Sequence, residues 1–160
     1  MNFKIKLFSL GLAALCVGQN VMAQDSATED GVINAVVRRP LVVSPDRVLN
    51  FGTVFAGDNS KVVPASDAVN SASFNITGQA TSNLTVTFDT PTVTITKVGS
   101  TAGTAATDMT VNSFEAGGST ATDADGLAVV TVGASLVDNE GTQAAGSYEG
   151  VFTVTVVQSL

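Results

Sequence analysis

The clearest regularity in the chain is an alternation of apolar and polar positions. It runs through Ala72-Ser73-Phe74-Asn75-Ile76-Thr77, Leu84-Thr85-Val86-Thr87-Phe88 and Val93-Thr94-Ile95-Thr96, and returns in Phe152-Thr153-Val154-Thr155-Val156. A period of two puts every second side chain on one face of a pleated strand, so each segment is predicted to bury one face and wet the other. Beyond residue 23 the chain is rich in Val, Thr, Ala, Ser and Gly and poor in Lys, Glu and Leu. β-Branched side chains suit a pleated surface and lose χ1 freedom in a helix. No stretch shows a convincing helical period.

Turn signals separate these runs at the spacing of a sandwich. Asp89-Thr90-Pro91 joins two strands, Glu115-Ala116-Gly117-Gly118 ends another, and Asp138-Asn139-Glu140-Gly141 makes a further break. Asp123-Ala124-Asp125-Gly126 reads as a hairpin tip, its Asp-Gly pair suiting a type I′ turn with positive φ at both central residues. Residues 99–107, rich in Gly, Ala and Thr, read as an exposed loop. Together the elements predict one antiparallel β-sandwich.

The N-terminus follows a different rule. Lys4 and Lys6 precede an apolar run from Leu7 to Val17, and Val21-Met22-Ala23 places compact residues at the −3 and −1 positions. This is the layout of a secretory signal peptide, residues 1–23, with cleavage expected between Ala23 and Gln24. The apolar run is short for a bilayer span, so no transmembrane anchor is expected. Cys16 is preceded by Leu15 rather than by the small residue of a lipoprotein signal, and reads as apolar filler. Cleavage would leave one domain's length of chain, enough for a single core. It would have no cysteine and hence no disulfide, with five basic residues against fourteen acidic ones. Such a charge disfavours nucleic acid or an anionic membrane surface as partner.

The same composition bears on catalysis. Beyond residue 23 the chain has no His, Cys or Trp, and its only lysines are Lys61 and Lys97, neither in a recognisable motif. The usual general base near neutral pH, thiol chemistry and the commonest metal ligands are therefore missing. Asp123 and Asp125 lack the third ligand position and the closing Glu of a calcium loop. The expectation is a protein without enzymatic activity, cofactor or metal.

Two longer segments carry a family resemblance. They are Leu49-Asn50-Phe51-Gly52-Thr53-Val54-Phe55-Ala56-Gly57 and Gln143-Ala144-Ala145-Gly146-Ser147-Tyr148-Glu149-Gly150-Val151-Phe152-Thr153-Val154-Thr155-Val156, with Phe74–Gly78 and Val132–Leu136 between them. The set resembles the bacterial DUF4402 family over roughly residues 41 to 157. The resemblance implies a secreted, fimbrial-type β-sandwich, immunoglobulin-like or pilin-like, spanning residues 41–160 and located in the periplasm, at the cell surface or outside the cell. It also admits a periplasmic chaperone as an assembly partner.

Two functional readings follow. In the first, the protein is a subunit of a surface fibre that self-associates by strand complementation. Residues 24–40 would form an N-terminal extension or first strand, and Ile33, Ala35, Val37, Leu41 and Val43 share one parity as a candidate donor strand. Tyr148, Phe152, Val154 and Val156 share a face as a core strand or as part of an acceptor groove. Alternatively, residues 32–43 pair within their own domain, bent at Pro40. In the second reading the protein is a monomeric adhesin, with residues 56–70 and 99–107 as candidate ligand surfaces.

Overall fold

The structure, a computed structural model, describes residues 29, 31–58, 60–137 and 141–159. The expected leader, residues 1–23, its expected cleavage point at Ala23 and Gln24, and Cys16 lie outside the described residues. The chain divides into two units, Met1–Ala35 and Val36–Leu160. In the first, the described residues are exposed and form no strand. The second holds β1 (Val42–Arg47), β2 (Lys61–Val63), β3 (Ala72–Thr77), β4 (Asn83–Phe88), β5 (Thr92–Lys97), β6 (Asp108–Gly118), β7 (Leu127–Val137), β8 (Tyr148–Glu149) and β9 (Val154–Ser159). The protein is all-β, as its alternating pattern requires.

All pairing is antiparallel, in two sheets. The larger runs β1-β3-β7-β6-β5-β8, with β2 also on β7; the smaller is β4-β9. Ile76, Leu84, Ala128 and Val130 form one buried cluster, which joins β3 and β7 of the large sheet to β4 of the small one. Met109, Val111, Ala134 and Leu136 form a second beneath β6 and β7. Leu49, Phe51 and Val54 pack on this second cluster from a segment that belongs to no strand.

The two sheets are tied together at one end. After Gly118 the chain crosses to the start of β4, where Leu84 N–H donates to Thr120 O (2.8 Å) and Thr122 N–H to Ser82 O (2.9 Å). The buried Thr122 hydroxyl accepts from Ser82 N–H (3.0 Å) and donates to Gln79 O (2.6 Å). Each side of the crossing thereby satisfies the main-chain groups of the other, as burial demands.

Four local expectations change. The turn at Asp123-Ala124-Asp125-Gly126 is closed by Gly126 N–H to Asp123 O (3.1 Å), and only Gly126 has positive φ. Ala124 and Asp125 are the central pair, so the turn is not type I′; the glycine follows the turn. A Cβ at Gly126 would lie 2.3 Å from Gly78 O, a further reason for glycine there. The first strand is neither residues 32–43 nor bent at Pro40: pairing begins at Val42 and runs past Pro45, which an edge strand tolerates. Residues 56–70 are not one free loop, since β2 pairs with β7 and Val63 is buried. Finally, the segment from Tyr148 to Val156 is not one strand. β8 pairs with β5, residues 150–153 are unassigned, and β9 pairs with β4, because the chain changes sheets on the way.

Candidate functional site

Where the chain changes sheets, it leaves an apolar groove of about 960 Å³. One wall is the end of β1 and the segment Val48–Ala56; the opposite wall is Gln143–Tyr148 and Gly150–Phe152. Ile95, Met109, Val111, Phe114 and Leu136 of the large sheet line it between them.

Local chemistry holds each wall. A bulge between Pro45 and Arg47 shifts the β1 register before its last pair, Arg47 with Ser73. The Arg47 guanidinium then donates to Ser71 O (2.7 Å) and Ser71 Oγ (3.2 Å). Asp67 organises the turn behind that wall. Its carboxylate accepts from the Asn70 side chain (2.9 Å) and from the main-chain N–H groups of Asn70 (2.9 Å) and Val69 (2.8 Å). The Asn70 side chain, these main-chain bonds and the Arg47 charge hold the Asp67 carboxyl below its ordinary range. On the far wall, the Tyr148 hydroxyl donates to Ala144 O (2.7 Å).

Phe114 reaches the groove through a bulge in β6. Met109 and Val111 face the cluster, and simple alternation would turn Ser113 inward and Phe114 out. The ladder instead slips between Asn112 and Glu115, with Ser113 at φ 52°, and Phe114 faces in. There it stacks on Phe152 (centroids 5.3 Å apart) and lies beside Phe88 (5.6 Å), while Phe152 meets Phe74 edge-on at 6.2 Å. All four rings are only half-buried. The largest fully buried side chains include Ile76, Val130 and Val132, and no aromatic.

Two strands have an unpaired edge near the groove: β1 reaches its lining at Pro45 and Arg47, and β9 begins two residues past Phe152. Among the described residues β1 pairs only with β3 and β9 only with β4. Phe152, entering β9, lies on Phe74, and Gln158, near its end, bonds Gln79 N–H (3.2 Å) and Gln79 O (2.8 Å). Since Pro45 is opposite Phe74 and Val42 opposite Thr77, β9 runs antiparallel to β1 across the gap.

The structure distributes the sequence-derived candidates as follows. Tyr148, Phe152, Val154 and Val156 are each half-buried but are divided between the two sheets, with Tyr148 on the second cluster and Val156 on the first. The run from Ile33 to Val43 is divided. Leu41 packs on the first cluster and Val43 is opposite Ile76. Ile33, Ala35 and Val37 are exposed and in no strand. Arg39 separates the two parts: its N–H donates to Gln79 Oε1 (3.3 Å) and its guanidinium to Asp125 O. Loop 99–107 is exposed except at the partly buried Thr107. Sequence reasoning missed Phe114 and Gln143 as groove residues; the first is hidden by the bulge, and the second is polar within an apolar lining.

Among the described residues no group of three or more acidic, His or Cys side chains is arranged to hold a metal ion, and no helix is long and apolar enough to cross a membrane. The model of a domain of unknown function, DUF4402, matches residues 41–157, and the chain belongs to that family. No curated protein matches it.

Proposed function

We propose that the protein is a non-enzymatic, exported structural subunit, pilin-like in being a β-sandwich with an incomplete core, and that it builds a surface fibre by strand complementation. The observation that carries this reading is the open apolar groove, which β1 reaches at Pro45 and Arg47 and which Phe152 lines just before the start of β9, both strands having an unpaired edge among the described residues. An inserted strand would cover half-exposed phenylalanines, and each buried CH₂ is worth about 0.8 kcal/mol. It would also give ladder partners to main-chain groups that now face solvent.

The occupant is the N-terminal segment of a second copy. In Val32-Ile33-Asn34-Ala35-Val36-Val37 both parities are apolar save Asn34, as in strands buried on both faces. Val32, Ile33, Val36 and Val37 are 81–94% exposed. Six extended residues span roughly 20 Å, the length of a strand such as β9. Charge favours the match as well. Residues 31–40 carry two arginines and no acid, whereas residues 41–160 carry three basic and eleven acidic residues.

Light scattering on the chain from Gln24 to Leu160 tests this. We expect concentration-dependent association, competed by a synthetic peptide of residues 29–40. Ile33→Asp/Val37→Asp should be monomeric with an unchanged unfolding curve. A chain that stays monomeric at high concentration and ignores the peptide refutes the proposal.

A further inference from the structure

One groove residue is mismatched to its surroundings. Gln143 lines the apolar groove and is only 8% exposed, yet neither its Oε1 nor its Nε2 has a hydrogen-bond partner. The residue is held in place by its neighbours rather than by its amide. Ala144 N–H donates to Ala106 O (2.7 Å), and the Tyr148 hydroxyl donates to Ala144 O. A buried amide with both ends unmet destabilises the subunit that contains it, and an apolar side chain of similar length would fill the same space without that cost.

A primary amide offers an acceptor and a donor side by side. A strand presents the complementary N–H and C=O along its edge. We infer that Gln143 is a main-chain-binding residue of the groove: turned about its side-chain torsions from its present covered position toward the groove, its Oε1 accepts an N–H, and its Nε2 donates to a C=O, of the extended segment of residues 31–37 from a second copy. The inference rests on the strand-complementation reading and adds to it a polar anchor. Apolar burial alone lets a Val-rich strand slide in the groove. A single buried amide that must find main-chain partners favours one position over its neighbours, much as an isolated buried polar residue sets register elsewhere. It also makes the groove selective for peptide, since an acyl chain or hydrocarbon ligand would cover the amide without satisfying it.

The test is Gln143→Met in the chain from Gln24 to Leu160, with two readouts of expected opposite sign. In dilute solution, where subunits are separate, the variant should unfold about 3 °C higher, because an unmet amide has been removed. Its self-association should weaken about tenfold. A second measurement uses peptides of residues 29–40 carrying one N-methyl group at successive positions. On the parent chain, one position should lose about tenfold in affinity beyond its neighbours, and on Gln143→Met that position should lose no more than they do. Equal association of parent and variant, a variant less stable than its parent, or an N-methyl profile unchanged by the substitution overturns the role of Gln143 while leaving strand complementation standing. If the parent neither associates nor binds unmodified peptide, the complementation reading fails and the inference with it.

Discussion

Gly133 in β7 offers a direct test of how the large sheet is assembled. A Cβ added there would lie 2.3 Å from Ala65 N, 2.4 Å from Val63 O and 2.6 Å from Pro64 C. All three are backbone atoms, so no side chain can swing aside. Gly133 does not have positive φ, and the cost of Gly133→Ala is therefore steric rather than conformational. Two routes relieve the clash. If β2 lifts away, its three pairs with β7 are lost and Val63 and Ala65, now 4% and 6% exposed, meet water. At about 1 kcal/mol net for each lost pair and about 2 kcal/mol for a buried valine, that route costs about 5 kcal/mol. If β7 shifts instead, Val132 and Ala134 move within a packed core, at a cost of about 1–3 kcal/mol. The cheaper route decides the outcome, so we expect a loss of about 1–3 kcal/mol. That is a large share of a typical domain's stability. Urea unfolding followed by far-UV circular dichroism would measure it, with Gly31→Ala, whose Cβ meets nothing within 4 Å, as the control. A loss below about 0.5 kcal/mol, the scatter of ordinary surface substitutions, would refute the argument.

Two other substitutions probe the supports of the fold. Thr122→Val keeps the shape but leaves Ser82 N–H and Gln79 O without the hydroxyl that now serves both, and should cost about 2 kcal/mol in the same assay. A cost near zero would mean the crossing to β4 is not held by that hydroxyl. Asp67 predicts a pH dependence. Its folded pKa is depressed, so its contribution is complete above the unfolded value near 4 and is lost as pH falls through the lower folded one. Stability should drop on acidification below about pH 4, and Asp67→Ala should be less stable at neutral pH with a shallower acid slope. An identical slope in parent and variant would assign the acid sensitivity to other carboxylates.

Some parts of the fold were legible from local pattern alone. The alternating run Ala72–Thr77 became β3 with the same ends, and Leu84–Phe88 and Val93–Thr96 became β4 and β5 to within a residue at either end. Period-two patterning with β-branched residues is a property of one strand and its two faces, so no knowledge of partners is needed to read it. Elsewhere local pattern does not suffice. Leu49 and Phe51 alternate as a strand would and pack on the second cluster, yet their segment joins no ladder, bonding its neighbour through Asn50 N–H to Asn70 O (2.9 Å). Phe114 would face solvent by simple parity and faces the groove only because β6 bulges at Ser113. Tyr148, Phe152, Val154 and Val156 are all half-buried, yet they are divided between two sheets, because the chain leaves β5 for β4 at residues 150–153.

The sequence by itself thus determined the all-β class, the inward face of the alternating strands β3, β4, β5 and β9, and the family. Each is encoded by residues near one another in the chain. The tertiary structure decided which edges remain unpaired, that Leu41 and Val43 are engaged while Ile33 and Val37 are not, and that an unmet amide lies in an apolar groove. Those are relations among segments up to a hundred residues apart. A strand edge, a groove and an unsatisfied donor are defined only by what the rest of the chain places, or fails to place, beside them.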